Sequence, residues 1–208
     1  WTGEYFSEIP QKIKAVSNFG YEFSHWEGIS SPVDSASILL NSNLFVTAHF
    51  NAIENPFQNL IVINEINYNS SNDFDSGDWV ELVNNSIHPI DLTGWKFLDE
   101  DDSHIYSLPD SLVMEAGDYL VLCQDILSFS SIFPMVNNYL GELGYGFSGG
   151  GELLRLMDST NALVDYVEYD DSTPWPLNAD GNGFSLELIN YELDNTIPTS
   201  WAASAVTK

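Results

Sequence analysis

The stretch Trp79-Val80-Glu81-Leu82-Val83 shows the pattern that decides the fold class of this chain. Successive side chains of a β-strand point to opposite faces, so Trp79, Glu81 and Val83 would share one face. Val80 and Leu82 would share the other. β-branched and aromatic residues also favour strands over helices. The stretch therefore predicts a β-strand.

Two carboxylates lie in apolar surroundings of this kind. Glu81 shares its predicted face with two large apolar residues, and Glu65 closely follows the apolar run at residues 60–63. Such a carboxylate is either exposed to solvent at the edge of a strand or held in place as a ligand. We favour the exposed position for both.

Outward from this strand, the chain continues as short apolar runs. Gly, Asn, Asp and Pro separate these runs, as expected for strands joined by turns. The runs lie at residues 60–63, 118–123, 152–157, 163–169 and 184–189. Helical periodicity is weak, and residues 126–133 form a short helix at most. Many short strands with regular turn signals predict an all-β fold, a sandwich or a barrel.

The composition is that of a folded and strongly acidic protein. Apolar residues make up 44% of the chain, and 31 Asp and Glu residues stand against five Lys and Arg residues, for a formal net charge of −26. Proteins bind nucleic acids and anionic membrane surfaces through clusters of Lys and Arg, so this negative charge excludes both as partners. The absence of a long apolar run excludes membrane insertion. A field this negative does attract cations, and Ca²⁺ is the first to consider.

A change in pattern and charge at residues 51–57 divides the chain. Residues 1–57 hold six acidic and two basic residues, a net charge of −4, whereas the remainder holds 25 and three, a net charge of −22. We therefore expect a small β module at residues 1–55 and a larger domain at residues 58–208. The chain begins at Trp1 with no initiating Met or signal peptide, and we expect it to be a segment of a longer protein.

The larger domain contains an ordered series of short motifs. The first three are Ile63-Asn64-Glu65-Ile66, the strand motif at residues 78–84 and Asp91-Leu92-Thr93-Gly94-Trp95. The others are residues 116–122, 149–156 and 164–169, Thr173-Pro174-Trp175-Pro176, residues 179–188 and residues 201–204. In this order they resemble the lamin tail domain of large secreted bacterial proteins. The resemblance implies an Ig-like antiparallel β-sandwich of the lamin-tail type, without catalytic machinery. Nuclear lamin tails are linked to DNA, but the charge of this chain argues against carrying DNA binding over.

The first module carries two motifs of its own. Residues 20–26 read Gly-Tyr-x-Phe-x-x-Trp, and residues 46–50 read Val-Thr-Ala-x-Phe. They are similar to the internalin-type β-repeat of bacterial surface proteins, and the similarity covers residues 1–52. It implies a stalk or adhesive module. Together, the two resemblances imply an extracellular location, secreted or at the cell surface.

Three acidic loops are candidates for binding Ca²⁺, which takes about six to eight oxygen ligands. The preferred loop places Asp73, Asp75 and Asp78 close to a glycine. The other two lie at residues 99–102 and 178–183, and the last lacks the acidic first and twelfth positions of an EF-hand. Turn chemistry alone also explains Asp, Asn and Gly in all three loops, so a solvated turn remains the alternative.

Residues that could support catalysis are few. His25, His49, His88 and His104 lack the spacing of a zinc site, and no nucleophile motif is present. The single cysteine, Cys123, lies in an apolar run without a basic neighbour, which predicts a buried thiol. The sequence therefore predicts that this chain is not an enzyme. Ca²⁺ is the single candidate cofactor.

One aromatic group suggests an alternative function. Trp175 lies between two prolines, and Trp95 or Tyr145 could join it as a platform for stacking on sugars. We favour packing for Trp175. The sequence thus predicts a non-catalytic extracellular accessory module that makes protein or surface contacts. A carbohydrate-binding module, with or without Ca²⁺, is the second hypothesis, and an accessory of a hydrolase with hidden catalysis is the third.

Overall fold

A computed structural model of the chain describes residues 3–6, 9–17, 21–53 and 55–205. Of the features quoted above, Trp1, Gly20 and Glu54 lie outside these ranges. The chain consists of two compact units, residues 1–54 and residues 55–208.

The first unit contains two small antiparallel sheets. Its strands are β1 (Gln11–Lys14), β2 (Tyr21–Glu27), β3 (Ser35–Ile38) and β4 (Thr47–Ala52). β1 pairs with β3, and β2 pairs with β4. Among the described residues of this unit, Ala15 is the only buried apolar side chain. The described part of this unit therefore has almost no fully buried hydrophobic core.

The second unit is a β-sandwich with one short helix. Its strands are β5 (Ile61–Asn67), β6 (Trp79–Asn84), β7 (Ile90–Asp91), β8 (Lys96–Leu98), β9 (Ile105–Ser107), β10 (Val113–Met114), β11 (Tyr119–Cys123), β12 (Tyr139–Gly141), β13 (Glu152–Met157), β14 (Leu163–Tyr169), β15 (Leu186–Leu188) and β16 (Trp201–Ala203). The helix is α1 (Ile126–Ile132), and 3₁₀ turns lie at Leu177–Ala179 and Pro198–Ser200.

Two sheets form the sandwich. One has six strands in the order β12-β11-β6-β5-β15-β16, and the other has four in the order β14-β13-β8-β9. Neighbours are antiparallel except β11 and β12, which run parallel. The prediction of an Ig-like sandwich is confirmed, with this one parallel pair as an exception to its antiparallel character.

The core lies between the two sheets. Val80 and Leu82 of β6 belong to one apolar cluster with Phe97 of β8 and Leu154 of β13, and all four are fully buried. Burial of each such side chain stabilises the fold by about 1.5–3 kcal/mol. This apolar interior is the main source of stability in the second unit.

A second, smaller core covers the outer face of β6 and β11. Trp79 packs against Phe129 of α1, with ring centroids 6.0 Å apart, and Val121 and Cys123 are buried beside them. Asp125 caps the helix by accepting a hydrogen bond from the Ser128 N–H at 2.6 Å. The predicted helix and the predicted burial of Cys123 are confirmed. Burial raises the pKa of the Cys123 thiol to about 11, so the thiol stays protonated at neutral pH.

A buried carboxylate joins the two sheets where β5 has no strand partner on one side. β5 bulges at Asn64, and its pairing with β15 covers Glu65 and Ile66 but not Ile63. The N–H of Ile63 points away from β6 and so has no partner in β15. Asp165 of β14 accepts this N–H at 2.6 Å and the side-chain amide of Asn195 at 2.8 Å. The carboxylate therefore accepts the hydrogen bond that a neighbouring strand would accept at this position of β5.

Glu65 corrects our expectation of an exposed side chain. It is 5% exposed, and one of its carboxylate oxygens accepts a hydrogen bond from the Ser185 hydroxyl. Glu81 is half-buried and accepts from the Asn64 amide at 2.9 Å. The bulge at Asn64 places Glu65 directly opposite Glu81, an arrangement that the apolar pattern of the sequence did not show.

Candidate functional site

The strand order brings the three acidic loops to the same end of the sandwich. Residue 78 precedes β6, and residue 99 follows β8. The segment at residues 170–183, which contains the third acidic loop at residues 178–183, follows β14. Antiparallel pairing places the ends of β8 and β14 beside the start of β13. The Asp78 carboxylate accepts the N–H of Phe147 shortly before β13, which brings the start of β6 to the same end. We call this region the acidic end; its carboxylates are Asp73, Asp75, Asp78, Asp99, Glu100, Asp101, Asp102, Glu152, Asp170, Asp171 and Asp180. Among the described residues, its basic side chains are Arg155 and His104.

Two partly desolvated carboxylates anchor the loop that precedes β13. Asp78 accepts the N–H of Phe147 at 2.6 Å, and Glu152 accepts the N–H of Ser148 at 3.1 Å. Burial raises the pKa of Asp78 to about 6 and that of Glu152 to about 7, although each backbone N–H opposes the shift. The Tyr169 hydroxyl donates to the Ser148 carbonyl at 2.7 Å and closes the arrangement.

A histidine and an arginine neutralise part of the acidic end. The Nδ1 of His104 lies 2.7 Å from the buried carboxylate of Asp99, and this contact raises the pKa of His104. The ring of Tyr145 stacks on His104 at 5.0 Å. Arg155 donates to the Asp99 carbonyl and, at 2.7 Å, to the exposed carboxylate of Asp102. These contacts fix the loop at residues 99–104.

The Tyr68 hydroxyl lies buried at the acidic end. It has no hydrogen-bond partner among the residues that the structure describes. Burial, and then the carboxylates of Asp180, Asp171 and Asp170, raise the pKa of Tyr68 to about 12. The adjacent Asn69 donates its amide to Asp180 at 2.6 Å, which holds the third acidic loop against this hydroxyl.

The preferred calcium residues do not converge on a common point. Asp73 is exposed, and Asp75 accepts the N–H of Gly77 at 3.1 Å within its own turn. Asp78 points instead to Phe147. Within the described ranges, no three His, Cys, Asp or Glu side chains are arranged as a metal site. Ca²⁺ binding at these three residues stays a prediction.

The candidate sugar platform is wrong, because its three rings belong to the interior. Trp95, Tyr145 and Trp175 are all buried in the core of the sandwich. Trp175 packs against Trp201 with ring centroids 6.0 Å apart, which confirms the packing interpretation. A sugar ring needs an exposed aromatic face, so these three residues cannot provide one.

Two of the histidines form a pair that the sequence did not reveal. His25 of β2 lies opposite His49 of β4, and their rings stack at 4.5 Å with an interplanar angle of 2°. Glu27 lies 3.1 Å from the Nε2 of His49. The bulge between Phe23 and His25 sets this register, and the spacing of 24 residues gives no local signal of it.

The raised acid pKa values predict that the second unit is more stable at pH 5 than at pH 8. Asp78, Glu152 and the fully buried Asp165, whose pKa burial raises to about 7, bind protons in the folded state that the unfolded chain releases above about pH 4. Stability therefore falls as pH rises from about 4 to 7. Below this window, carboxylates with lowered pKa values, such as Asp125, lose their hydrogen bonds on protonation. We expect a thermal midpoint higher by about 4 °C or more at pH 5.

Calorimetry across this pH range gives the measurement, and a Glu152→Gln variant gives its control. Glutamine can still accept the Ser148 N–H but does not titrate, so the difference between pH 5 and pH 8 should shrink. Repulsion among the many carboxylates also weakens on acidification, and it changes the stability of the wild type and of the variant in the same direction. An equal slope in the variant, or a midpoint that falls on acidification to pH 5, would contradict this assignment.

No helix among the described residues is long and apolar enough to cross a bilayer. No curated protein sequence matches the chain. A solved structure of a DUF4876 family protein from Bacteroides thetaiotaomicron is similar with a TM-score of 0.47 and 10% identity, over 83% of this chain and 75% of that chain.

The family model of the Lamin Tail Domain matches residues 56–171, more than half of the sequence. It covers β5 through β14, and β15 and β16 then complete the larger sheet. The chain therefore belongs to the lamin tail domain family.

Proposed function

We propose that this chain is a non-catalytic interaction module of a larger secreted or cell-surface protein, and that its acidic end binds a basic partner surface. The observation that carries the proposal is the convergence of three sequence-distant acidic loops on one end of a rigid sandwich. Such a predominantly negative surface steers oppositely charged partners and selects against acidic ones.

The internal hydrogen bonds of the acidic end support binding over catalysis. Asp78 and Glu152 are engaged by backbone N–H groups of the loop they anchor. Asp99 and His104 form a carboxylate–imidazole pair, but none of the hydrogen bonds found among the described residues joins a Ser, Thr or Cys to that ring. A nucleophile within reach of the imidazole is the element that hydrolysis would require.

Calcium is a second candidate ligand for this surface. The Tyr68 hydroxyl, which has no hydrogen-bond partner among the described residues, lies near Asp170, Asp171 and Asp180 and favours the third acidic loop over the one at residues 73–78. Oxygen donors of this kind suit Ca²⁺. The basic partner remains the preferred proposal, because it uses all three loops.

We expect a lysine-rich peptide to perturb the amide resonances of residues 69–78, 99–104 and 170–183 when it is titrated into the ¹⁵N-labelled chain. An acidic-end variant, Asp73→Asn with Glu100→Gln, removes two exposed charges. Each such charge contributes about 0.5 kcal/mol, so affinity should fall by about fivefold.

A matched variant at the other end of the sandwich controls for net charge. Asp110→Asn with Glu115→Gln also removes two exposed charges. It should change the affinity less than twofold. Perturbations spread evenly over the surface, or equal losses in the two variants, would reject the acidic end as the binding surface. Turnover of an ester, peptide or glycoside that His104→Gln abolishes would reject the non-catalytic assignment.

A further inference from the structure

We infer that His25 and His49, with Glu27, form a transition-metal site that clips β2 to β4 in the first unit. The two imidazoles lie directly opposite each other on neighbouring strands. Imidazole nitrogen is a preferred ligand of Zn²⁺, Cu²⁺ and Ni²⁺. The site is distinct from the acidic end, which lies in the second unit.

The two imidazoles lie close enough to reach one metal ion, although their rings are stacked face to face and must turn to bind it. The imidazole centroids are 4.5 Å apart and the rings are nearly parallel. Two ring nitrogens that share a tetrahedral Zn²⁺ at about 2.0–2.1 Å must lie about 3.3 Å apart. Both nitrogen lone pairs lie in their ring planes, so metal binding requires a rotamer change that breaks the stack; the exposed His25 and the half-buried His49 are placed to make it.

Glu27 supplies the third group on the same face of the hairpin. It lies two residues after His25 on β2, and its carboxylate already lies 3.1 Å from the Nε2 of His49. The three groups do not hold a metal in the present rotamers, since the described residues include no preformed cluster of three such ligands. Metal binding would replace the proton between His49 and Glu27, which leaves the carboxylate to coordinate or to orient the imidazole.

The small core of the first unit gives this site a structural purpose. Among its described residues only Ala15 is a buried apolar side chain, and its sheets have two strands each. Modules of this size usually need a metal, a disulfide or a partner to stay folded. A metal at His25 and His49 would join two strands that a connection of about twenty residues separates, where loop closure is entropically costly.

The β-bulge at Ser24 is what creates the pair. Phe23 lies opposite Phe50, and without the bulge Ser24 would lie opposite His49. The extra residue moves His25 into that position. Bulges of this kind often re-aim a side chain at a functional site.

Isothermal titration of the untagged full chain with ZnCl₂ tests the proposal. We expect one Zn²⁺ per chain, and at least about tenfold weaker binding in His25→Gln and in His49→Gln. The matched control is His88→Gln, which removes another exposed histidine and should leave the affinity unchanged. Absence of zinc binding by the wild-type chain, equal loss in the control, or full binding by both pair variants would overturn the site.

A second measurement avoids reliance on the folding of the variants. Zn²⁺ should shift the side-chain resonances of two histidines of the wild-type protein and leave the other two in place. Ca²⁺ at the same concentration should shift none of them, because it prefers oxygen ligands. A shift of all four histidines, or of His88 or His104 alone, would reject the pair as the site.

Discussion

Replacing Asp165 by alanine is expected to lower the free energy of unfolding of the second unit by about 3 kcal/mol. The change leaves the Ile63 N–H and the Asn195 amide without their acceptor, and each unsatisfied buried donor costs about 1–3 kcal/mol. Burial of this acid, whose pKa is raised to about 7, costs stability at every pH above about 4, and this cost reduces the loss. Urea unfolding at pH 6 measures the effect.

An exposed aspartate provides the control for this substitution. Asp110→Ala removes a solvent-exposed carboxylate and should change stability by less than about 0.5 kcal/mol. Asp165→Asn keeps one acceptor oxygen and should have an intermediate effect. A loss below about 1 kcal/mol in Asp165→Ala would mean that the carboxylate does not hold the two sheets together.

Replacing Trp95 by alanine should destabilise the second unit still more, by about 3–5 kcal/mol. Trp95 is among the largest fully buried side chains and contacts the ring of Phe57 at 5.1 Å. Its backbone also accepts the Leu108 N–H, so the surrounding segments cannot readily collapse into the cavity. Chemical unfolding followed by far-UV circular dichroism measures the loss.

Leu127→Ala is the matched control for the tryptophan. Leu127 is a large apolar residue on α1 but is 78% exposed, so its removal should change stability by less than about 0.5 kcal/mol. If Trp95→Ala were as stable as this control, Trp95 would not belong to the packed core. If the alanine variant does not express in folded form, Trp95→Phe should still show a loss of about 1–3 kcal/mol.

The strands of the sandwich could be predicted from the sequence because their signals are local. β13 and β14 lie where alternating apolar residues predicted them, at residues 152–157 and 163–169. β5 extends further than the apolar run, through Asn67, because polar residues there pair with β6. β15 is shorter than its run, since only Leu186–Leu188 pair with neighbouring strands.

The features that define the candidate sites depend on pairing between distant segments. The bulge at Asn64 buries Glu65 and exposes the Ile63 N–H to Asp165, about one hundred residues away. No local pattern in the sequence marks either partner. The bulge at Ser24 likewise sets the register of the histidine pair.

The acidic loops illustrate the same limit. Each could be recognised from its composition, but their convergence follows from strand order, which brings the end of β8 beside the start of β13. The sequence therefore showed that the loops are acidic but did not show that they lie at the same end of the sandwich. The family match supplies the fold in which they meet.

The hydrogen-exchange rate of the Ile63 amide tests most directly whether the two sheets form one sandwich joined at Asp165. Within the described part of the chain, this N–H has no strand partner and donates to the Asp165 carboxylate of the opposite sheet. We predict protection comparable to that of the Leu82 amide in wild-type protein, and loss of protection in Asp165→Ala while Leu82 stays protected. Exchange of the wild-type Ile63 amide as fast as that of the exposed loop residue Ile87 would contradict the joined sandwich.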